Sequence, residues 1–167
     1  GVNLLKQDHR TVEGLFQEYE RAAGMTERDR LCQDICTELT IHSEIEEQCF
    51  YPGVRSTAGL EDMVEESLKE HMQVKQLCSD IQGMTSGDAR ISTRMAELKQ
   101  AVEHHVKEEE RDMFPQVREM CDQQWLLGIG QAMIQQKVQL MERMTSGLRT
   151  VREDVTEPTR TPKNMSS

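Results

Sequence analysis

The chain has 167 residues, with 30 acidic against 20 basic side chains for a net charge of −10, and only 4% aromatic residues. That length suits one domain around one buried core. The acid excess argues against a nucleic-acid surface, which depends on Lys and Arg displacing counterions. The longest apolar runs, such as Trp125, Leu126 and Leu127, fall far short of the roughly 20 residues a bilayer span needs, so no membrane contact is expected.

Five cysteines (Cys32, Cys36, Cys49, Cys78, Cys121) without a CxxC pair, together with no visible secretory signal, lead us to expect a reducing, cytoplasmic compartment. Cys32 and Cys36 stand four apart, but free cysteines behave mostly as small buried hydrophobes.

Apolar residues recur at steps of three and four almost throughout, which predicts an all-α chain. The first helix carries Leu5, His9, Val12, Phe16 and Tyr19 on one stripe and stops near Gly24. Thr26 with Asp29 three residues on reads as a capping box that starts helix two. Its stripe is Leu31, Ile35, Leu39, His42, Glu46 and Cys49, and it is expected to end at Pro52 and Gly53, because proline disfavours helix before it.

Helix three follows Val64, Ser67, His71, Val74, Cys78 and Ile81 until the GMTSG segment at residues 83–87. Helix four follows Ile91, Met95, Leu98, Val102, His105, Glu109 and Met113, with Pro115 kinking or closing its end.

Four helices joined by short loops predict an up-down-up-down antiparallel four-helix bundle over residues 1–121. Trp125, Ile129, Met133, Leu140 and Met144 mark an added helix over 122–149, weakened by Gly128 and Gly130. It is expected to pack on the bundle or to form the face of a homodimer. From Thr150 the tail has little to bury and two prolines, so disorder is expected over 150–167.

The four core stripes contain four His and two Glu, although buried ionisable groups are costly unless paired or bound to metal. An internal repeat organises them. Residues 42–55 read HSEIEEQCFYPGVR and residues 105–118 read HVKEEERDMFPQVR, sharing H-x3-E-E, an aromatic nine residues after the His, then Pro and Val-Arg. Upstream, LKQDH ending at His9 matches LKEH ending at His71, and GMT recurs at 24–26 and 83–85. The chain reads as a duplicated helical hairpin, each copy supplying one His and one His-x3-Glu pair. His104 also precedes a Glu by four, but lies off the Leu98, Val102 stripe and reads as solvated or as a neighbour of the site.

Positions i and i+4 share a helix face, so His42 with Glu46, and His105 with Glu109, each present nitrogen and oxygen together. Six such groups are too many for one metal. Two six-coordinate ions offer about 12 positions, of which four His, two bridging Glu and one bridging oxygen fill about ten.

The set His9, His42, Glu46, His71, His105 and Glu109 resembles the hemerythrin-like (HHE cation-binding) domain over roughly residues 3–121. The resemblance implies a non-heme centre of two iron ions with a bridging oxo or hydroxo, able to meet O2, hydrogen peroxide or nitric oxide. It further implies that the four His are terminal ligands and that Glu46 and Glu109 are carboxylate bridges. The oxygen-carrying hemerythrins have another His four residues away on the third helix and a His-x4-Asp on the fourth. Here Ser67 and Lys75 flank His71, and the fourth helix has His-x3-Glu.

The missing imidazole leaves room for solvent or another oxygen donor. Tyr51 is the candidate, expected to swing inward once Pro52 frees it from helical geometry; Phe114, its counterpart, offers no oxygen. The departure favours a peroxidase- or catalase-like detoxifying oxidoreductase acting on peroxide or nitric oxide. The alternatives are a reversible O2 store or sensor, and an iron storage or donation protein.

Overall fold

Every apolar stripe predicted above is a helix, but two of the expected helix ends are not ends. The computed structural model describes residues 1–156 and contains α1 (Val2–Arg21), α2 (Met25–Ile45), α3 (Tyr51–Ala58), α4 (Glu61–Gln82), α5 (Arg90–Glu108), α6 (Phe114–Met120) and α7 (Gln123–Thr156). A π-turn at Glu46–Phe50 joins α2 to α3, and a second at Glu109–Met113 joins α5 to α6. No strand occurs among the described residues.

The expected stop at Pro52 is therefore corrected: the rod begun at Met25 runs on to Ala58 and ends at Gly59, whose φ of 62° is the left-handed conformation glycine adopts without strain. Pro115 likewise lies inside a continuing helix. The reason is common to both. In each π-turn the N–H of the aromatic residue bonds five residues back, Tyr51 to the Glu46 carbonyl and Phe114 to that of Glu109. The proline follows at the restart of α-helical register, where its missing N–H is tolerated.

The capping box is also corrected. Gly24, not Thr26, precedes α2, with no side-chain cap, and the Asp29 carboxylate instead accepts a hydrogen bond from Ser86.

Two apolar clusters fill the bundle. One, around Phe16, Leu31, Ile35, Leu77, Met95 and Leu98, lies towards the Gly24 and Gly83 turns. The other, around Leu5, Ile45, Phe50, Val64, Phe114 and Val117, lies towards the π-turns. His9, His42, His71 and His105 each occur in sequence where their helix passes from one cluster to the other, so the polar layer is sealed by hydrocarbon at both ends.

The C-terminal helix α7 packs on α2, the first π-turn and α1. Met133 and Leu140 are buried, Trp125 rests on Gly53 where a Cβ would lie 2.7 Å from its ring, and Leu127, Ile134 and Val138 face outwards. The helix continues to Thr156, so disorder from Thr150 is corrected for residues 150–156: Leu148, Arg149, Arg152 and Glu153 favour helix and no proline intervenes before Pro158. The rest of the expected tail lies outside the described residues. No helix is long and apolar enough to cross a membrane among the described residues, and all five cysteines are free thiols.

Candidate metal centre

All six predicted His and Glu side chains converge, and each is buried. The imidazoles pair through their Nε2 atoms, His9 with His42 at 3.2 Å and His71 with His105 at 3.3 Å. One carboxylate from each half of the chain spans both pairs. Glu46 Oε2 lies 3.2 Å from His42 Nε2 and 3.2 Å from His71 Nε2, while Glu109 Oε2 lies 3.3 Å from His9 Nε2 and 3.5 Å from His105 Nε2. The arrangement makes two overlapping donor groups, His9, His42, Glu46 and Glu109 on one side and Glu46, His71 and His105 on the other.

The π-turns explain how this is reached. Each begins at the spanning Glu and shifts the residues after it relative to the His one turn before, which brings Tyr51 and Phe114 inward at equivalent places. Tyr51 is buried; its hydroxyl donates to Glu109 Oε1 at 2.9 Å and stands 3.3 Å from Glu46 Oε2 and 3.4 Å from His71 Nε2. The phenol does turn inward, but from a helical backbone rather than one released by Pro52. Phe114 stacks on His9, rings 7° from parallel.

Four further carboxylates, to which the sequence reading gave no role at the site, face the outer nitrogens. His9 Nδ1 meets Glu110 at 2.9 Å, His71 Nδ1 meets Glu47 at 2.9 Å and His105 Nδ1 meets Glu70 at 2.8 Å. His42 Nδ1 has Asp8 behind it at 3.8 Å, beyond hydrogen-bond reach. A carboxylate on the outer nitrogen fixes the tautomer that presents Nε2 as a donor to metal.

Three of these acids carry a cation in turn: Lys75 at 2.9 Å on Glu47, Arg10 at 2.7 Å on Glu110, and Lys137 of α7 at 2.5 Å on Asp8. The signal for them was present as the Glu-Glu doublet in both repeats and as an acid before both His9 and His71. The reach of Lys137 had no local signal.

Burial opposes the charged form of His42, but the Glu46 carboxylate, with Asp8 behind, overrides it and holds the imidazolium up to about 10. His71 and His105 are raised by the same contest. Burial would raise Glu46, yet His42, His105 and His71 hold it well below the usual carboxylate range. Burial, reinforced by Glu109 and Glu46, pushes the Tyr51 phenol well above its ordinary value.

In the metal-free protein imidazolium protons therefore balance the carboxylates, at the place where a cation's charge would do so. Glu46 Oε1 and Glu109 Oε2 are buried without a hydrogen-bond partner, a costly state that a metal ion relieves. The donor set, imidazole nitrogen with carboxylate and phenol oxygen, suits first-row divalent metals including iron. The residues fit the group. Beside the four imidazoles an apolar cavity of about 20 Å³ is walled by Val12, Leu39, Val74, Val102 and Val106, room for one water-sized molecule.

The sequence matches the hemerythrin HHE cation binding domain family over residues 1–117. Among curated proteins it is similar to a DNA nickase of Nostoc sp., 29% identical over 116 residues that cover 70% of this chain and 33% of that protein. It is also similar to an uncharacterised hemerythrin-like protein of Schizosaccharomyces pombe, 28% identical over 111 residues, 65% of this chain and 55% of that one. The chain thus spans one third to about half the length of these relatives. Among solved structures, a hemerythrin HHE cation-binding domain-containing protein of Mycobacterium kansasii superposes with a TM-score of 0.76 at 27% identity, covering 89% of this chain and 91% of that one.

Proposed function

The chain belongs to the hemerythrin HHE cation-binding family, and from that premise we propose that it is a non-heme diiron protein that disproportionates hydrogen peroxide. The observation that carries the reading is the pair of imidazole pairs, each of which meets Glu46 Oε2 through one ring and Glu109 Oε2 through the other, within 3.5 Å. His9, His42, His71 and His105 would be terminal ligands, Glu46 and Glu109 bridges, and Tyr51 a further oxygen ligand at the position that lacks an imidazole. Iron held there supplies redox change and Lewis acidity to a small bound oxygen or nitrogen species.

The chain's own residues supply the rest. Glu47, Glu70 and Glu110 hold three imidazoles from behind, so the donor nitrogens need no reorientation to bind. Val12, Leu39, Val74 and Val102 limit the neighbouring cavity to a molecule of a few atoms. Phe50 and Phe114 close the opposite end against bulk water. The Tyr51 hydroxyl keeps its proton while the site lacks a cation and would release it to solvent if a cation replaced the imidazolium charge.

Disproportionation suits an enclosed site because two peroxide molecules give one O2 and two waters with no outside reductant. Nitric oxide reduction would need an electron donor, and reversible O2 binding would need an oxy form that survives beside a phenol. The nicking activity named for the Nostoc relative is not carried over, since the net charge of −10 opposes a phosphate surface.

The test is an optical spectrum of aerobically purified protein with iron counted per chain, followed by O2 evolution from added peroxide. About two irons, a broad visible phenolate-to-ferric band and turnover absent from His105→Ala are expected. Two irons with a recoverable oxy spectrum and no O2 evolution would replace this reading with O2 storage or sensing.

A further inference from the structure

Two openings in the surface lead to the buried cluster, and they differ in charge. A groove of about 350 Å³ between α1 and α5 reaches His9 and is lined by both signs, Arg10, Lys99 and Lys107 against Glu13, Glu103 and Glu110. A cleft of about 290 Å³ between α4 and the second π-turn is lined by Asp62, Glu66, Glu108 and Asp112, by no Lys or Arg, and by the buried Ser67 and Glu109 at its floor. Lys69 and Arg111 touch Glu66 and Asp112 only from outside that lining. Glu109 joins this cleft to the buried cluster, where its Oε2, without a hydrogen-bond partner, lies 3.3 Å from His9 Nε2 and 3.5 Å from His105 Nε2.

One wall residue of this cleft, Glu108, also belongs to a third donor group. His104 Nε2 lies 3.3 Å from Glu70 Oε1 and 3.4 Å from Glu108 Oε1, and the three ligand atoms lie within 4.8 Å of one another. The duplication does not account for it. In the first half the positions matching His104 and Glu108 are Ile41 and Ile45, both buried. Glu70 is already oriented, because its other oxygen accepts from His105 Nδ1 at 2.8 Å.

We propose that Glu70, His104 and Glu108 form a surface site for a divalent cation, and that the site feeds the buried cluster through the acidic cleft that ends at Glu109. The feeding role rests on the metal-binding reading above; the surface site does not. One imidazole and two carboxylates with open solvent positions make a weak, quickly exchanging site for Fe²⁺ or Mn²⁺, a station rather than a store. Glu108 belongs both to this group and to the cleft wall, so an ion leaving His104 through Glu108 enters a cleft whose wall also carries Asp112, Glu66 and Asp62. A wall of one sign with apolar flanks raises the local concentration of cations and hence the rate of capture.

The experiment uses the full chain stripped of metal. Titration with Mn²⁺ should reveal, beyond the buried ions, one weaker ion that both His104→Gln and Glu108→Gln remove. Anaerobic stopped-flow loading with Fe²⁺ should slow about fivefold or more in Glu108→Gln and in Asp62→Asn combined with Glu66→Gln, with the same final iron per chain. Lys107→Gln, in the other groove, should load at the wild-type rate. A wild-type chain with no such weaker ion, or loading rates indifferent to the cleft variants, overturns the proposal. A wild-type buried cluster that takes up no iron overturns the feeding role together with the diiron reading, while a His104-dependent Mn²⁺ ion would still support the surface site.

Discussion

The two halves of the bundle, residues 1–60 and 61–121, carry the same ligand pattern on the same π-turn, yet they differ at the places that give the site its chemistry. Where the first half has Tyr51 the second has Phe114, so one side of the layer meets the metal position with a hydroxyl and the other with a ring stacked on His9. Where the second half has Glu70 in contact with His105, the first has the shorter Asp8, which falls 3.8 Å from His42 and is drawn to Lys137 instead. The repeat sets the symmetric part, two imidazole pairs and two spanning carboxylates. The differences between copies put a hydroxyl on one side of the layer and a stacked apolar ring on the other.

Replacing the spanning carboxylates should have the largest effect. Glu46→Ala and Glu109→Ala should each take bound iron from about two per chain towards zero, because each serves both imidazole pairs. Glu46→Ala should also destabilise the metal-free protein by about 3–5 kcal/mol, since it strands buried imidazolium charge. Iron analysis and chemical denaturation check both, and an Ala variant that keeps one tightly bound ion would show the halves to be independent.

The outer acids should come next and should separate the halves. Glu70→Gln should weaken metal binding about 10–100-fold, as loss of a carboxylate on a ligating imidazole does. Asp8→Asn should cost less, because no hydrogen bond to His42 is lost. Competition with a chelator gives the ratio.

The metal-free protein should also respond to pH on both sides. His42, raised from 6.5 to about 10 on folding, adds stability that is fully present below pH 6.5 and lost as pH rises through about 10. Glu47 and Glu110, lowered by His71 and His9 with their basic neighbours, add stability present above 4.5 and lost as pH falls below it. Denaturation midpoints should therefore peak between these limits, and metal loading near neutral pH should release protons measurable in weak buffer.

The smallest change in stability, about 1 kcal/mol, is expected for Tyr51→Phe, which makes the two halves alike at that position. The variant should keep its iron and lose the visible band. Retention of the band would remove Tyr51 from the ligand set.

The six clustered side chains were legible because each His and Glu stands on an apolar stripe and recurs in register. The π-turns were not, since no residue type announces them and Pro52 in isolation reads as a stop. Glu47 and Glu110 were visible as half of a doublet, but which imidazole each serves depends on how the hairpins face each other. Lys137 lies 129 residues from Asp8, and a contact of that span leaves no local trace.

Two of the four outer carboxylates are exchanged between the halves: Glu47 of the first supports His71 of the second, and Glu110 of the second supports His9 of the first, while Glu70 and Asp8 stay with His105 and His42 of their own half. A single hairpin would therefore keep one His, one His-Glu pair and the acid behind that pair's imidazole, while its Glu47 or Glu110 would have no imidazole to support. The orientation of His9 and of His71 thus depends on the two hairpins being docked against each other.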